Sequence, residues 1–274
     1  MVTPSPTPPV LWHYTSLKGL IGIVSSESIW ASDIRCLNDA TEYQYGREIA
    51  IKATEANQVA PRDFLERMRE LVVNQFSGEV RAGENFVFSM SERDDLLSQW
   101  RSYCPPGAGC SIGFDSSALS DRGFSAAVGY EFQLIQCVYT EDEQTAMINS
   151  VIEFGLECAR GDHPSRTGSF LAGGLAGVVP RFKHPSFQEE CEWRLLGGRD
   201  REHPRDNEKP IQYRAGKSMI VPYVKWALKP LPITEIKLGP CPHPELSRAS
   251  VESLLATHKL TVPVTHSQIP YRAW

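Results

Sequence analysis

FKHPSFQEECEWRLLG, residues 182–197, places charged and apolar side chains at alternate positions. Glu190, Glu192 and Arg194 occupy one set of positions, and Cys191, Trp193 and Leu195 occupy the other. This two-residue period predicts a half-buried strand that carries both carboxylates and the guanidinium on one face. Because ionised groups are costly to bury unless they are paired, that face holds either a structural ion pair with Arg194 or a catalytic carboxylate.

The composition is that of an ordinary globular protein. Of 274 residues, 41% are hydrophobic and 22% are charged, which suits one large domain or two small ones. The net charge of −5 and the pI near 5.8 argue against a general binder of nucleic-acid backbones, which would carry a basic surplus. A local basic groove remains compatible with these values.

Cysteine spacing and hydropathy argue against a zinc protein, a disulfide-rich protein and a membrane-spanning protein. The seven cysteines include no CxxC pair, so the sequence shows neither zinc-ligand spacing nor a disulfide framework. We expect reduced, buried thiols in a cytoplasmic protein that has no metal site. No apolar run approaches the roughly 18 residues of a membrane span, and residues 1–9 form an extended, proline-rich leader without the core of a signal peptide.

Strand and helix patterns interleave without a βαβ rhythm. Strands are predicted at 10–15, 28–32, 85–91, 110–115, 211–214, 218–224 and 233–239 and over most of 130–140, and residues 262–270 are predicted to be extended. Helices are predicted at 16–26, from about 42 to 58, at 61–76, 94–103 and 244–259, and over most of 141–179. The charged segment 199–210 is predicted as a solvated loop. We therefore expect a single α+β domain over 10–274, with helical insertions at 41–78 and 141–179 against a mainly antiparallel sheet.

Several other polar or aromatic residues are candidates for a site, each with a structural alternative. His13 lies within the apolar strand VLWHYT, where it is either a core histidine or a ligand contact. Ser89 and Ser91 share a strand face, and Ser91 is also placed to cap the next helix. Trp100 and Tyr103 lie on one side of a helix and either pack in the core or stack on a flat ligand ring.

Together these residue types suit cleavage of an N-glycosidic bond. Such cleavage passes through an oxocarbenium-like state, whose positive charge a carboxylate beside the sugar stabilises. A histidine can hold a sugar hydroxyl, and an aromatic ring can hold the leaving group. The residue types alone leave other chemistries open.

Long motifs resemble, in order, the bacterial domain-of-unknown-function family 2971. They are LWHYTSLKGLIGIVSSESIWASDIRCLNDATEYQYG, FVFSMSERDDLLSQWRSYCPPGAGCSIGFD, FKHPSFQEECEWRLL and the later IVPYV and IKLGP. The resemblance covers most of residues 11–240. The family name implies no activity.

A more remote resemblance does imply one. The order of His13 in HYT, then FSMS, then Glu192 is similar to the three motifs of the ADP-ribosyltransferase superfamily. That resemblance implies a fold of split antiparallel sheets with helical insertions, and NAD as the substrate.

The resemblance also implies roles for individual residues. His13 would contact the adenosine ribose, and the backbone at Tyr14 and Thr15 would grip nicotinamide. Ser89 and Ser91 would shape the nicotinamide pocket. Tyr103, with Trp100 beside it, would supply the stacking ring.

The two acids have separate implied roles. Glu192 would hold the nicotinamide ribose, and Glu190 would orient the acceptor. The chain mixes a histidine-type first motif with a serine-type second motif, which leaves both the acceptor and catalysis itself open. Asp33, Arg35, Asn38, Asp39 and Glu42 form a further polar cluster, either a loop clasp or a ligand contact.

Three functions follow as alternatives. The first is an ADP-ribosyltransferase or NAD glycohydrolase with a protein or nucleic-acid acceptor, in a role such as a toxin or phage-defence effector. The second is a nucleotide-binding or sensing module without chemistry. The third, an enzyme like the RNA 2′-phosphotransferases, ranks last because no basic cluster is evident near the motifs.

Overall fold

The computed structural model describes residues 6–37, 42–75, 85–123, 131–161, 164–198, 211–216 and 218–272. The chain divides into two compact units. One holds Asp33–Glu84 and Gln136–Glu189, and the other holds Thr3–Ser32, Asn85–Ile135 and Glu190–Trp274. The prediction of a single domain over 10–274 stays a prediction. The loop predicted at 199–210 and residues 1–5 of the predicted leader lie outside the described residues.

In the part of the chain that the structure describes, ten strands form one branched sheet. They are β1 (Val10–Ser16), β2 (Ser28–Asp33), β3 (Asn85–Ser91), β4 (Gly109–Asp115), β5 (Glu131–Gln136), β6 (Glu192–Gly198), β7 (Gln212–Ala215), β8 (Ile220–Ala227), β9 (Ile233–Leu238) and β10 (Val264–His266). The order is β10-β9-β4-β1-β3-β2-β8-β7, with β6 also beside β3 and β5 beside β6. The registered pairs are antiparallel except β9 with β10, so the expected α+β fold with mainly antiparallel strands is confirmed.

The sheet divides at β3. This strand pairs with β6 along its whole length, from Asn85↔Gly198 to Ser91↔Glu192, whereas its register with β1 is Trp12↔Ser91. β1 instead pairs along its whole length with β4. β1 and β2 both adjoin β3. One group of strands, β1, β4, β9 and β10, continues from β1, and the other, β2, β8 and β7, continues from β2.

The second unit is built around the sheet and short helices. These helices are α1 (Leu17–Ser26), α4 (Leu97–Tyr103), α5 (Ser116–Gly123) and α8 (Pro244–Thr257). Ser16 caps α1 by accepting a hydrogen bond from the Gly19 amide, as its position before an apolar helix predicts. Apolar side chains such as Leu20, Phe88 and Leu195 form the core of this unit.

The first unit is helical. It contains α2 (Glu42–Ala56), α3 (Arg62–Gln75), α6 (Glu141–Arg160) and α7 (Thr167–Val178). Thr140 caps α6 by accepting from the Glu143 amide, and three acids occupy its first turn, where the helix dipole favours negative charge. Apolar side chains such as Met68, Ile152 and Leu175 form the core of this unit.

Three local predictions are wrong. The strand predicted from Glu190 begins at Glu192, because Pro185–Glu190 forms a 3-10 helix and Cys191 takes a left-handed φ of 43°. The helix predicted over 94–103 begins at Leu97. Ser91 does not cap it, since the cap residue is Leu96. α5 was not predicted.

All seven cysteines lie in the described part of the chain, and none forms a disulfide. Cys110 and Cys137 are buried, but the other five are half-buried. None of the helices that the structure describes is long and apolar enough to cross a membrane.

Candidate functional site

The register of β3 with β6 gathers four polar side chains. Ser91 lies opposite Glu192, and Ser89 lies opposite Arg194. Residues directly opposite in an antiparallel pair share a face, so these four side chains lie together. Phe88 and Met90, with Leu195 and Trp193 opposite, turn the other way into the core.

Glu192 and Arg194 form a bidentate ion pair within this face. Arg194 Nε donates to Glu192 Oε1 at 2.8 Å, and Nη2 donates to Oε2 at 3.0 Å. Arg194 is 1% exposed and Glu192 5%. The structural ion pair, which the sequence left as one of two alternatives, is therefore present, and Glu192 is its acid.

The turn before Glu192 is braced from β3. The Ser91 hydroxyl donates to the Glu190 carbonyl at 2.7 Å and accepts from the Arg93 amide at 3.0 Å. The Glu92 amide donates to the Cys191 carbonyl at 3.1 Å. Ser91 is 2% exposed, so its hydroxyl holds the backbone on which Glu192 stands.

His13 lies where β1 leaves β3. Its Nδ1 is 2.8 Å from the Ser89 carbonyl, and since a carbonyl only accepts, Nδ1 carries the proton. Its ring stacks on Phe88 with centroids 4.1 Å apart. Burial lowers the pKa of His13 to about 4, and the charge of Arg214 lowers it further against the opposing effect of the Ser89 bond. The imidazole is therefore neutral at pH 7, and Nε2 holds a lone pair.

Two polar atoms at this junction are candidates for a ligand contact. Among the described residues, neither His13 Nε2 nor the Ser89 hydroxyl has a hydrogen-bond partner, and neither is a fully buried atom without one. Neighbouring strands lie about 4.8 Å apart, so His13 on β1 and Glu192 on β6 are separated by two strand spacings, about 10 Å. β3 lies between them.

The rings of Tyr14 and Trp100 are packed. They meet edge to face at 4.7 Å in a buried cluster with Trp12. The Tyr14 hydroxyl donates to the Arg93 carbonyl and accepts from the Leu96 amide, and Trp100 Nε1 donates to Asp95. Burial raises the pKa of Tyr14 well above its usual value. These contacts favour the core-packing interpretation, and a ligand role for Trp100 stays a prediction.

Cys104, the residue after Tyr103, forms a hydrogen bond with the main chain of Thr15. The Cys104 thiol donates to the Thr15 carbonyl at 3.3 Å. Burial raises the pKa of Cys104 to about 12, so the thiol keeps the proton that it donates. Tyr103, 36% exposed, precedes Cys104 at the end of α4. The structure thus brings an accessible aromatic ring to the end of β1.

The polar cluster at 33–42 contains a clasp. Asp33 Oδ1 accepts from the Arg35 amide at 3.0 Å, and the two side chains form an ion pair at 2.6 Å. Asp33 is 1% exposed. Asn38, Asp39 and the side chain of Glu42 lie outside the described residues. The described part of the cluster fits the loop-clasp interpretation.

Sequence reasoning missed Asp95 and Arg214. Asp95 accepts from Trp100, from the Ser267 hydroxyl at 2.6 Å and from the Gln268 amide at 2.8 Å. No local pattern connects residue 95 with residue 267. The sequence pattern of β7 shows only that Arg214 and the exposed Tyr213 point to opposite faces. That Arg214 lies near Ser32 of β2 follows from the order of the strands in the sheet. Among the described residues, no group of three or more His, Cys, Asp or Glu side chains is placed to hold a metal ion.

A family model described as "Protein of unknown function (DUF2971)" matches residues 99–195. The resemblance to that family is thereby confirmed over a segment that includes Trp100, Tyr103, Glu190 and Glu192. No curated protein matches the chain. A solved structure, "Thermus sp. 2.9 DarT in complex with ADP-ribosylated ssDNA", shares 9% identity with this chain, with 100% of each chain covered and a TM-score of 0.37. A similarity at that level supports no argument about function.

Proposed function

We propose that the chain is an NAD-dependent ADP-ribosyltransferase or NAD glycohydrolase, with its site at the junction of β1, β3 and β6. The observation that carries this proposal is the neutral His13, whose Nδ1 bonds the Ser89 carbonyl of β3 while its Nε2 has no partner among the described residues. Two residues further along β3, Ser91 lies opposite Glu192. These are the three motif positions that the resemblance relates to NAD cleavage.

The proposed chemistry assigns each group a task. His13 Nε2 accepts a hydrogen bond from the adenosine ribose. The Thr15 backbone and the Tyr103 ring hold nicotinamide, with Ser89 and the turn braced by Ser91 shaping its pocket. Glu192 accepts from the second ribose and offsets the positive charge that develops as the nicotinamide–ribose bond breaks. Nicotinamide leaves with the electron pair of that bond, and water or an acceptor oriented by Glu190 attacks the ribose carbon.

A second candidate is a nucleotide-binding module without chemistry. The specific observation in its favour is the Arg194 fork, which engages both oxygens of Glu192 in a buried pair. It predicts saturable binding of NAD or ADP-ribose that leaves the ligand intact. We propose no phosphotransferase activity, since no observation at this junction favours it.

Nicotinamide release from NAD, measured by chromatography, tests the enzyme proposal. Wild type is expected to release nicotinamide, and Glu192→Gln to reduce the rate by about 100-fold or more. Labelled NAD then separates the two activities: label that passes to added protein, DNA or RNA indicates a transferase, and free ADP-ribose indicates a glycohydrolase.

The ion pair complicates this test, because Glu192→Gln also leaves Arg194 partly unpaired. The double variant Glu192→Gln/Arg194→Met removes both charges and serves as the folded control. Loss of activity in the double variant, at an unfolding temperature near that of wild type, would assign the loss to chemistry. Absence of nicotinamide release from wild type with every acceptor would remove the enzyme proposal and leave the binding module.

A further inference from the structure

Arg214 lies on β7, at the far side of β8 from β2. It is registered opposite Val221, and its Nη2 donates to the Ser32 hydroxyl of β2 at 3.0 Å. Ser32 is 8% exposed, so this bond anchors one end of the guanidinium on a buried group. Arginine carries five N–H donors, and the remaining donors are available to a ligand.

Among the described residues, the Arg214 guanidinium has no carboxylate partner. It is half-buried, and in the described ranges of the chain no carboxylate lies within ion-pair distance of it. Arg35 and Arg194 each carry a bidentate carboxylate, whereas Arg181, which is also half-buried, donates its Nε to the Gln136 carbonyl. A sheltered cation without an anion is costly, which makes this position suited to an anionic ligand.

The position adjoins the proposed NAD site. β1 and β2 both lie beside β3, and Arg214 reaches β2 through Ser32. The charge of Arg214 also contributes to the lowered pKa of His13, in agreement with this strand order. An anion held by Arg214 would therefore be part of the same ligand whose hydroxyl meets His13.

We propose that Arg214 binds a phosphate group of the nucleotide whose ribose His13 contacts. The guanidinium fork matches two phosphate oxygens, and the pyrophosphate of a dinucleotide lies next to its riboses. The identification of that nucleotide as NAD rests on the proposed function, whereas the phosphate preference rests on Arg214 itself.

Calorimetric titration with ADP-ribose and with adenosine, which has no phosphate, tests this assignment. Arg214→Met is expected to weaken ADP-ribose binding about ten- to hundredfold, the range for a lost hydrogen-bonded charge contact. Adenosine binding is expected to stay as in wild type. Arg214→Lys keeps the charge without the fork and is expected to give a smaller loss for ADP-ribose.

Lys225→Met is the matched control. Lys225 also lies on the β2–β8–β7 strands, but its Nζ sits 5.2 Å from the centre of the Trp30 ring, so its removal is expected to change neither affinity. Unchanged ADP-ribose binding by Arg214→Met, an equal loss for adenosine, or no ADP-ribose binding by wild type would each overturn the assignment. The proposed function is tested by nicotinamide release from wild type, which is a separate measurement. Failure of the Arg214 assignment in calorimetry therefore does not contradict the proposed function.

Discussion

Arg194 is among the largest completely buried side chains of the protein. Burying an ion pair costs several kcal/mol per ion in lost hydration, which the mutual attraction offsets only when geometry is good. Two bonds of 2.8 and 3.0 Å to Glu192 meet that condition. The pair therefore fixes where the Glu192 carboxylate points.

Removing one partner of this pair should cost more than removing both. Glu192→Ala leaves a buried guanidinium without its carboxylate and is expected to lower the free energy of unfolding by about 3–5 kcal/mol. Glu192→Gln/Arg194→Met should lose clearly less than the sum of its single variants, as measured by urea denaturation. Strictly additive losses would contradict a coupled pair.

The exposed pair Arg248–Glu252 provides the control for this cycle. Its atoms approach to 2.9 Å, as close as in the buried pair, but both side chains are about half exposed. Glu252→Gln is therefore expected to change stability by less than about 0.5 kcal/mol.

His13 should make stability depend on pH. Its pKa is about 4 in the folded protein, against 6.5 as its usual value. Between these values the unfolded chain binds a proton that the folded protein excludes, so the free energy of unfolding falls as pH decreases from 6.5 to 4. Allowing for partial exposure of the ring, we expect this contribution to be about 2 kcal/mol.

Glutamine at position 13 isolates this contribution, since its amide donates to the Ser89 carbonyl without titrating. The difference in the free energy of unfolding between wild type and His13→Gln, measured by urea denaturation, should decrease by about 2 kcal/mol from pH 7 to pH 4.5. Parallel pH profiles for the two proteins would rule out His13 as the titrating group.

At the scale of elements, the loop between β3 and α4 is held by the C-terminal segment. Asp95 accepts from Trp100 on one side and from Ser267 and Gln268 on the other. Ile269 packs against the same aromatic cluster that holds Trp12 and Tyr14. The helix that presents Tyr103 is thus positioned by the last strand and the residues after it.

Asp95→Ala should release this connection. Three donors lose their acceptor, and we expect a loss of about 2 kcal/mol in stability together with faster hydrogen exchange at the Gln268 amide. Asp94→Ala is the neighbouring control, because the Asp94–Lys237 pair at 2.8 Å includes a half-exposed carboxylate and is expected to contribute less than about 1 kcal/mol. Unchanged protection at Gln268 in Asp95→Ala would show that the segment is held by other contacts.

Across the whole chain, the sequence predicted the bounds of strands and helices better than it predicted which distant residues are in contact. Val10–Ser16, Asn85–Ser91 and Gly109–Asp115 were found within a residue of their observed bounds, because alternate burial leaves a local pattern. The helices predicted at 41–78 and 141–179 belong to the first unit. Nothing local records that Arg214 meets Ser32, 182 residues away.

The candidate site shows the same division between local and distant information. The shared face of Ser89 and Ser91 follows from strand periodicity, as does that of Glu192 and Arg194. The bend at Cys191 was missed because a left-handed φ at a residue other than glycine is uncommon and the alternation of residues 190–195 continues through it. The branching of the sheet at β3, beside which His13 lies, depends on pairings between distant segments.

The brace before Glu192 has an evolutionary consequence. Ser91 and Glu92 hold residues 190 and 191 through their main-chain carbonyls, which every amino acid possesses. A descendant of this chain can therefore exchange the side chain at position 190 while the main-chain bonds that place Glu192 persist. If Glu190 has its proposed role of orienting an acceptor, acceptor preference can diverge by single substitutions at position 190 while the main-chain bonds before Glu192 are inherited.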